Sequence, residues 1–278
     1  MKRVVTSIYA KKEFVRKQFY LCDSSLIQLL KLSFNHLQFL AHSGISKERL
    51  AITTFSINPV LGRLWMFYIK KLLAYNEINA DIIVFDSSGR LKPLDNCKVI
   101  HLLNIEHGVK MDQAIKRIDS KYIWITDDDI YFSRLNLNSI LMKLDSTKRD
   151  WVYSVVPRGQ TIISDDGFEQ NAIGSNSIIF KREIFINEKL SFKVRRTENK
   201  AVNWSRGYYD TCDYAHKVSL DRGYRAIIGV HKDDALAFFG TSIAYLKFIS
   251  TIKAKSDFKN WVYADTDKRS TSEKIGIY

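Results

Sequence analysis

Apolar and polar positions along the first half of the chain predict a succession of strands and helices. Apolar runs of strand length are separated by segments in which apolar residues recur at helical spacing. The strands are predicted at 50–55, 81–86, 97–103 and 122–125, and the helices at 63–75 and 111–118. Because strands that alternate with helices in this way lie parallel to one another, the pattern predicts an α/β fold with a mostly parallel sheet flanked by helices.

The second half of the chain has a less regular pattern. We expect strands at 150–156, 176–180 and 224–230, and a helix at 210–220. No linker separates these elements from the first half, so the sequence predicts one central domain at 48–240.

An amphipathic helix is predicted near each end of the chain. The first spans 24–41, and five leucines at mostly helical spacing predict its core-facing stripe: Leu26, Leu29, Leu30, Leu37 and Leu40. Membrane contact is the alternative role for this stripe. The second is a basic and apolar helix at about 243–252. The sequence therefore predicts an N-terminal helical extension at 1–47 and a basic C-terminal helix and tail at 241–278.

The composition fits a cytoplasmic protein with a sizeable core. Of the 278 residues 46% are hydrophobic, and only 3 are proline, which argues against long disordered regions. The three cysteines have no CxxC spacing and indicate neither a disulfide framework nor a zinc site. We expect no signal peptide, because the apolar patch after the first basic residues is short, and no apolar run reaches the roughly 18 residues of a membrane span.

The charge is strongly basic and unevenly distributed. The formal net charge is +13, and residues 1–49 carry 9 Lys or Arg against 3 Asp or Glu. Residues 181–206 carry 8 against 3. Such surfaces attract nucleic acid, anionic lipid headgroups or phosphorylated substrates, although a generally basic proteome would give the same balance.

Three consecutive carboxylates, Asp127 to Asp129, follow the strand at 122–125. Adjacent anions at the end of a buried strand repel one another, and a bound cation offsets that cost. Mg²⁺ and Mn²⁺ bind through such carboxylates together with substrate phosphates. An acidic loop or a helix cap is the other interpretation. Asp86 also ends a predicted strand, and because ligands gather beyond the carboxyl ends of parallel strands, we expect it to share a cleft with the triplet.

Five sequence blocks follow one another between about residues 48 and 235. They read AITTFSIN, IIVFDSSG, NIEHGVKMDQAIKRIDSKYIWITDDD, GSNSIIFKREIF and YYDTCDYAHKVSLDRGYRAIIGVH. This series resembles the family 2 glycosyltransferases of the Rossmann-like GT-A fold. The resemblance implies transfer of a sugar from a nucleotide-diphosphate donor, with a UDP-sugar as the first expectation, to a hydroxyl of a glycan or lipid-linked acceptor. It further implies Mn²⁺ or Mg²⁺ as cofactor, inversion at the anomeric carbon, and a place in surface polysaccharide or glycoconjugate synthesis.

The resemblance also implies roles for individual residues. Donor-binding residues would be Thr53, Phe55, Asp86, Gly108, Asp127 and Asp128. The metal would be held by Asp127, Asp129 and His231, with Asp129 as the direct ligand. The base that deprotonates the acceptor hydroxyl would be Asp210, or else Asp213. The aromatic residues beside it, Trp204, Tyr208 and Tyr209, would contact the acceptor.

The chain departs from the family pattern at two places. Met111-Asp112 stands where the family has Arg-Asn, and Tyr209-Asp210 stands where it has Glu-Asp. Further candidates for contact with a diphosphate are Lys193, Arg195, Arg196 and Arg206, and a solvated surface is the other interpretation of these four residues.

Two other functions compete with glycosyl transfer. The charge and the clustered carboxylates also suit a basic nucleic-acid-binding protein or a metal-dependent nucleotidyl- or phosphoryl-transfer protein. No helix-turn-helix, zinc or RNA-recognition motif supports the first, so we expect no nucleic acid partner. We expect a cytoplasmic enzyme, with peripheral contact to the anionic inner face of the membrane as a further hypothesis.

Overall fold

The structure, a computed structural model, describes residues 26–132, 135–155, 157–174, 176–196, 208–209, 211–229 and 235–238. The helices are α1 (Leu26–Ala41), α2 (Pro59–Asn76), α3 (His107–Ile115), α4 (Leu137–Ser146), α5 (Arg182–Asn187) and α6 (Asp213–Asp221). The strands are β1 (Leu50–Ser56), β2 (Asp81–Asp86), β3 (Cys97–His101), β4 (Tyr122–Thr126), β5 (Ile130–Phe132), β6 (Asp150–Ser154), β7 (Pro157–Ile163), β8 (Glu169–Ile173), β9 (Ser177–Lys181), β10 (Arg195–Arg196), β11 (Tyr208–Tyr209), β12 (Arg225–Ile228) and β13 (Ala235–Phe238). The helix predicted at 243–252 lies outside the described residues.

Seven strands form the central sheet, in the order β3-β2-β1-β4-β9-β6-β12. The pairs β1–β2, β2–β3, β1–β4 and β6–β12 are parallel. Strand β9 runs antiparallel to both of its neighbours, β4 and β6. The prediction of an α/β fold with a mostly parallel sheet is therefore confirmed.

Helices cover both faces of this sheet. On one face, α3 and α6 pack against strand residues that include Ile123 and Ile125. On the other, α2 and α4 pack against residues that include Tyr122 and Trp124. Every residue of β1 and β4 is buried, which explains why these strands read as continuous apolar runs.

The strand order reverses between β1 and β4. Strands β2 and β3 follow β1 on one side, whereas β4 lies on its other side. In open α/β sheets, the loops on either side of such a point diverge and leave a crevice at the carboxyl ends of the two strands. Ser56 ends β1, and the triplet at 127–129 follows β4, so both lie at this crevice.

Helix α2 begins earlier than its apolar pattern predicts. Asn58, Pro59 and Gly62 are residue types that favour a turn. In the structure Asn58 is instead the N-cap of α2, and its Oδ1 accepts a hydrogen bond from Val60 N at 2.9 Å. Proline suits the first helical position because its missing N–H needs no partner there. A Cβ at Gly62 would lie 2.8 Å from Leu91 Cδ2. The absent side chain therefore lets the helix pack closely on the 87–91 loop.

The buried stripe of helix α1 differs from the prediction. Leu32, His36 and Phe39 are buried, and the predicted Leu40 also packs against the core. The predicted Leu30 and Leu37 are instead 60% and 65% exposed. The spacing of leucines alone could not choose between two adjacent helical faces. No helix in the described part of the chain has the length and apolar character needed to cross a membrane. Contact with a membrane surface stays a prediction.

Candidate functional site

A hydrogen bond joins the two strand ends at the crevice. Ser56, the last residue of β1, donates its hydroxyl to Asp128 Oδ2 at 2.5 Å. Burial raises the pKa of Asp128 to about 6, while this hydrogen bond and the charge of Lys110 oppose the rise. The Asp128 carboxyl therefore holds the acidic loop against the end of β1.

Asp129 is the most buried member of the triplet. The residue is 7% exposed, and its Oδ1 is buried without a hydrogen-bond partner among the described residues. Burial, and then the charges of Asp127 and Asp128, raise the pKa of Asp129 to about 8. A carboxyl in this position needs either a proton or a cation to offset its charge.

Asp127 lies across from β9. Its backbone N–H donates to the carbonyl of Asn176 at 2.9 Å, which extends the β4–β9 ladder by one residue beyond the pair Thr126 and Ser177. Asn176 Oδ1 is buried and has no hydrogen-bond partner among the described residues.

A buried lysine lies beneath the crevice. Lys110, in helix α3, is 3% exposed, and its Nζ donates to Asn104 Oδ1 at 3.2 Å and to Ser87 Oγ at 3.4 Å. Burial lowers the pKa of Lys110 to about 8, and the carboxylates of Asp128, then Asp86 and Glu106, counteract this. The ammonium group of Lys110 thus lies among the carboxylates of the site.

Asp86 is fully buried, and both of its carboxyl oxygens accept from protein groups. Oδ1 accepts from the Ser88 amide and hydroxyl, and Oδ2 accepts from His101 Nδ1 at 2.9 Å and from Leu91 N at 3.2 Å. Burial would raise its pKa, but the hydrogen bonds from His101 and Ser88 hold the pKa below the usual value. In the structure Asp86 therefore shapes the loop after β2, and its donor-binding role stays a prediction.

Gly108 allows a chain segment to cross the start of α3. A Cβ at this position would lie 2.1 Å from the Phe192 carbonyl oxygen and 2.9 Å from Lys193 Cα. Asp112 fixes the same segment, because its carboxylate accepts from Ser191 Oγ at 2.6 Å and from Phe192 N at 2.8 Å. The two residues hold the segment that precedes β10, and donor contact by Gly108 stays a prediction.

We expect Gly108→Ala to destabilise the protein by about 1–3 kcal/mol, because the added methyl group meets backbone atoms that cannot rotate away. Urea denaturation of the variant measures this loss. Gly167→Ala is the comparison: nothing lies within 4 Å of the Cβ that it would add, but its φ of 83° strains any L side chain. It should cost only about 1 kcal/mol of backbone strain. A Gly108→Ala variant as stable as the parent would contradict the close crossing.

The two other donor-site candidates lie on β1. Phe55 is 9% exposed, and its ring stacks on Phe85 with centroids 5.0 Å apart and meets the edge of His107 at 5.4 Å. Thr53 is buried, and its hydroxyl has no hydrogen-bond partner among the described residues. Both lie on the face of the sheet that α3 covers.

The structure describes only part of the predicted base and acceptor region. Asp213 is fully buried and is the first residue of α6, so the helix begins three residues after the predicted start. Tyr209 is 6% exposed and packs in a small cluster with Tyr214, at 5.9 Å between ring centroids. Asp210, Trp204, His231 and the side chain of Tyr208 lie outside the described residues.

Two of the three predicted metal ligands, Asp127 and Asp129, lie at the crevice. Their oxygen atoms are the donors that Mg²⁺ and Mn²⁺ prefer, and the unpartnered Asp129 Oδ1 fits a cation. In the described part of the chain no three His, Cys, Asp or Glu side chains are grouped to hold a metal ion. The third predicted ligand, His231, is outside that part, and the ligand set stays a prediction.

No protein-family model matches the chain, and no curated protein matches it in sequence. Several solved structures are similar to it in fold. One is the mannosyltransferase PcManGT from Pyrobaculum calidifontis in complex with GDP-Man and Mn²⁺, at 12% identity and a TM-score of 0.48 over 92% of this chain and 74% of that chain. Another is glucosyl-3-phosphoglycerate synthase from Mycobacterium tuberculosis with Mn²⁺, UDP and phosphoglyceric acid, at 11% identity and a TM-score of 0.44 over 78% and 80%.

A third similar structure is 4-diphosphocytidyl-2C-methyl-D-erythritol synthase from Anaerococcus prevotii, at 9% identity and a TM-score of 0.43 over 76% of this chain and 99% of that chain. The similar structures thus include glycosyltransferases, the class that the five sequence blocks resemble.

Sequence reasoning missed two members of the site. Lys110 reads as an ordinary helix lysine, and only its neighbours in space show that it is buried among carboxylates. Ser56 is the last residue of β1, and its position at the carboxyl end of a buried strand was the available signal.

Proposed function

We propose that this protein is a metal-dependent glycosyltransferase that moves a sugar from a nucleotide-diphosphate donor to an acceptor hydroxyl. The observation that carries the proposal is Asp129, which follows β4 at the point where the strand order reverses and has a buried, unpartnered oxygen beside two further carboxylates. The triplet at 127–129 follows β4, and it ends the sequence block that most resembles the family.

The donor would lie along the carboxyl edge of the sheet. Phe55 and Thr53, on β1, would border the base and ribose, and Lys110 lies close enough to Asp86 and Asp128 to balance their charge there. Asp127 and Asp129 would hold the divalent cation. When bound, that cation neutralises the negative charge that develops on the departing nucleoside diphosphate.

The acceptor hydroxyl must lose a proton as it attacks the anomeric carbon. Asp210 and Asp213 are the candidate bases, and direct attack with either would invert the configuration. Asp213 is buried at the start of α6, on the same sheet face as Asp127. Its neighbours Cys212 and Ala215 pack in the core that also holds Ile123 and Ile125 of β4.

A thermal-shift panel tests the proposal. UDP, GDP, CMP and TDP are each added with Mn²⁺, Mg²⁺ or EDTA. A ligand at 100 times its dissociation constant stabilises a protein by about 2.7 kcal/mol, which such a panel detects. We expect one nucleotide to raise the melting temperature with metal and not with EDTA. No shift with any nucleotide, together with salt-sensitive binding of DNA or RNA, would favour the nucleic-acid alternative.

Asparagine variants of the two candidate bases separate their roles. We expect one of Asp210→Asn and Asp213→Asn to lower the transfer rate by about 10²–10⁴-fold, because a positioned base contributes about that much. Nucleotide binding should stay within twofold of the parent protein, since the base contacts the acceptor. The measurement is the initial rate at saturating donor beside nucleotide titration. Full activity in both variants would exclude both residues as the base.

A further inference from the structure

Asn176 stands directly opposite Asp127 at the open end of the β4–β9 pair. Thr126 pairs with Ser177, and the next hydrogen bond of the ladder runs from Asp127 N to the Asn176 carbonyl at 2.9 Å. Residues directly opposite in an antiparallel pair point to the same face of the sheet, with Cβ atoms about 4.5–5.5 Å apart. The carboxamide of Asn176 and the carboxylate of Asp127 are therefore neighbours.

Both side chains lie on the sheet face that α3 and α6 cover. Side chains alternate along a strand, so Asp127 shares a face with Ile125, and Asn176 shares a face with Ile178. Ile125 and Ile178 belong to the core on that face. The pair thus continues this face by one residue beyond Ile125 and Ile178.

The Asn176 carboxamide has an unmet need for a hydrogen-bond donor. Its Oδ1 is buried and no described group donates to it. Native structures satisfy nearly all buried polar atoms, and at the end of the β4–β9 ladder, beside the acidic loop, a bound ligand can supply the donor that Oδ1 lacks. A hydroxyl of a sugar can donate the hydrogen bond that Asn176 Oδ1 lacks.

The strand order indicates which part of the donor reaches Asn176. Along the carboxyl edge the strands follow in the order β2, β1, β4 and β9. Phe55 and Asp86 lie at β1 and β2, and the acidic triplet that would meet the diphosphate follows β4. The position at β9 is one strand further on, where the group beyond the diphosphate would lie.

We propose that Asn176 accepts a hydrogen bond from a hydroxyl of the transferred sugar and so helps to select the donor sugar. This inference rests on the proposed function, because it requires that a nucleotide sugar binds in the crevice.

Calorimetric titration with two ligands tests the inference. The ligands are the nucleoside diphosphate that the panel identifies and its sugar conjugates, both with Mn²⁺. We expect Asn176→Ala to weaken the best-bound nucleotide sugar by about five- to tenfold, the effect of one lost hydrogen bond. Binding of the nucleoside diphosphate should stay within twofold. Asn171→Ala, which removes an exposed amide from β8, is the matched control and should change neither affinity.

Monodeoxy analogues of the same nucleotide sugar identify the hydroxyl. One analogue should bind the parent protein about as weakly as the full sugar binds Asn176→Ala, and the variant should lose nothing further with that analogue. Because this series works on the parent protein, it tests the contact even where Asn176→Ala or Asn176→Ser folds poorly.

The outcomes separate the two proposals. A nucleoside diphosphate that binds normally, with nucleotide-sugar affinity unchanged in Asn176→Ala, overturns the inference and leaves the proposed function standing. Equal losses for both ligands also overturn it, because they place Asn176 at the nucleotide. Absence of nucleotide binding by the parent protein overturns the proposed function itself.

Discussion

Asp129→Asn is expected to abolish the proposed transfer activity and, in EDTA, to raise the melting temperature. Asp129 is 7% exposed and has an unpartnered buried oxygen, and burial with the charges of Asp127 and Asp128 raises its pKa to about 8. Asparagine has nearly the same shape without the charge. We expect a gain of about 1–2 kcal/mol near neutral pH, because asparagine needs no proton to be neutral and each pKa unit of proton uptake on folding is worth about 1.4 kcal/mol. At about 2–4 °C per kcal/mol, calorimetry resolves this change.

The gain should depend on pH in a defined direction. The unfolded carboxyl has a pKa of about 3.9, whereas the folded one titrates at about 8. Between these values folding takes up a proton, so the stability of the parent protein falls as pH rises from about 4 to 8. The advantage of Asp129→Asn should therefore be larger at pH 8 than at pH 6. Asp95→Asn, at an exposed position, is the control and should change little. If Asp129→Asn is less stable than the parent protein in EDTA, the buried Asp129 carboxyl does not destabilise the folded state.

Lys110→Met is expected to destabilise the protein by about 3 kcal/mol. Removing one partner of a buried set of charges leaves the others unbalanced, a change that typically costs about 3–5 kcal/mol. Here Lys110 is 3% exposed, and the carboxylates of Asp128 and Asp86 lose their neighbouring cation. Relief of the lysine's own desolvation, which lowers its pKa to about 8, places the expected cost at the lower end.

Urea denaturation of Lys110→Met measures this cost. The exposed Lys116, which caps the same helix, provides the matched control, and Lys116→Met should change stability by less than about 0.5 kcal/mol. A double variant with Asp128→Asn should recover part of the loss, because the two groups interact. A loss below about 1 kcal/mol in Lys110→Met would show that the lysine does not balance the carboxylates.

Strands β1, β2 and β4 could be predicted from the sequence because both of their faces are buried, which gives continuous apolar runs. Strand β2 was predicted at 81–86, the bounds that the structure has, and β1 and β4 were each predicted to within one residue. The antiparallel direction of β9 could not be predicted, since a buried strand such as Ser177–Lys181 carries no sign of its direction. Helix α4 was overlooked, although Leu137, Ile140, Leu141 and Leu144 have helical spacing and are buried.

The site was predictable where chemistry is concentrated in adjacent residues. The triplet at 127–129 is visible because three carboxylates in a row are costly without a cation. Lys110 and Asn176 are single polar residues in otherwise ordinary segments. Their significance depends on burial and on neighbours that are distant in sequence, such as Asp86 for Lys110 and Asp127 for Asn176.

A crystal structure with Mn²⁺ and the nucleotide from the panel tests the proposed binding of a divalent cation and the donor diphosphate by Asp127 and Asp129 between β1 and β4. Anomalous scattering locates the manganese. We expect one manganese peak within direct coordination distance of an Asp129 carboxyl oxygen and of the diphosphate. A nucleotide bound elsewhere, or a manganese peak away from Asp129, would contradict the proposal.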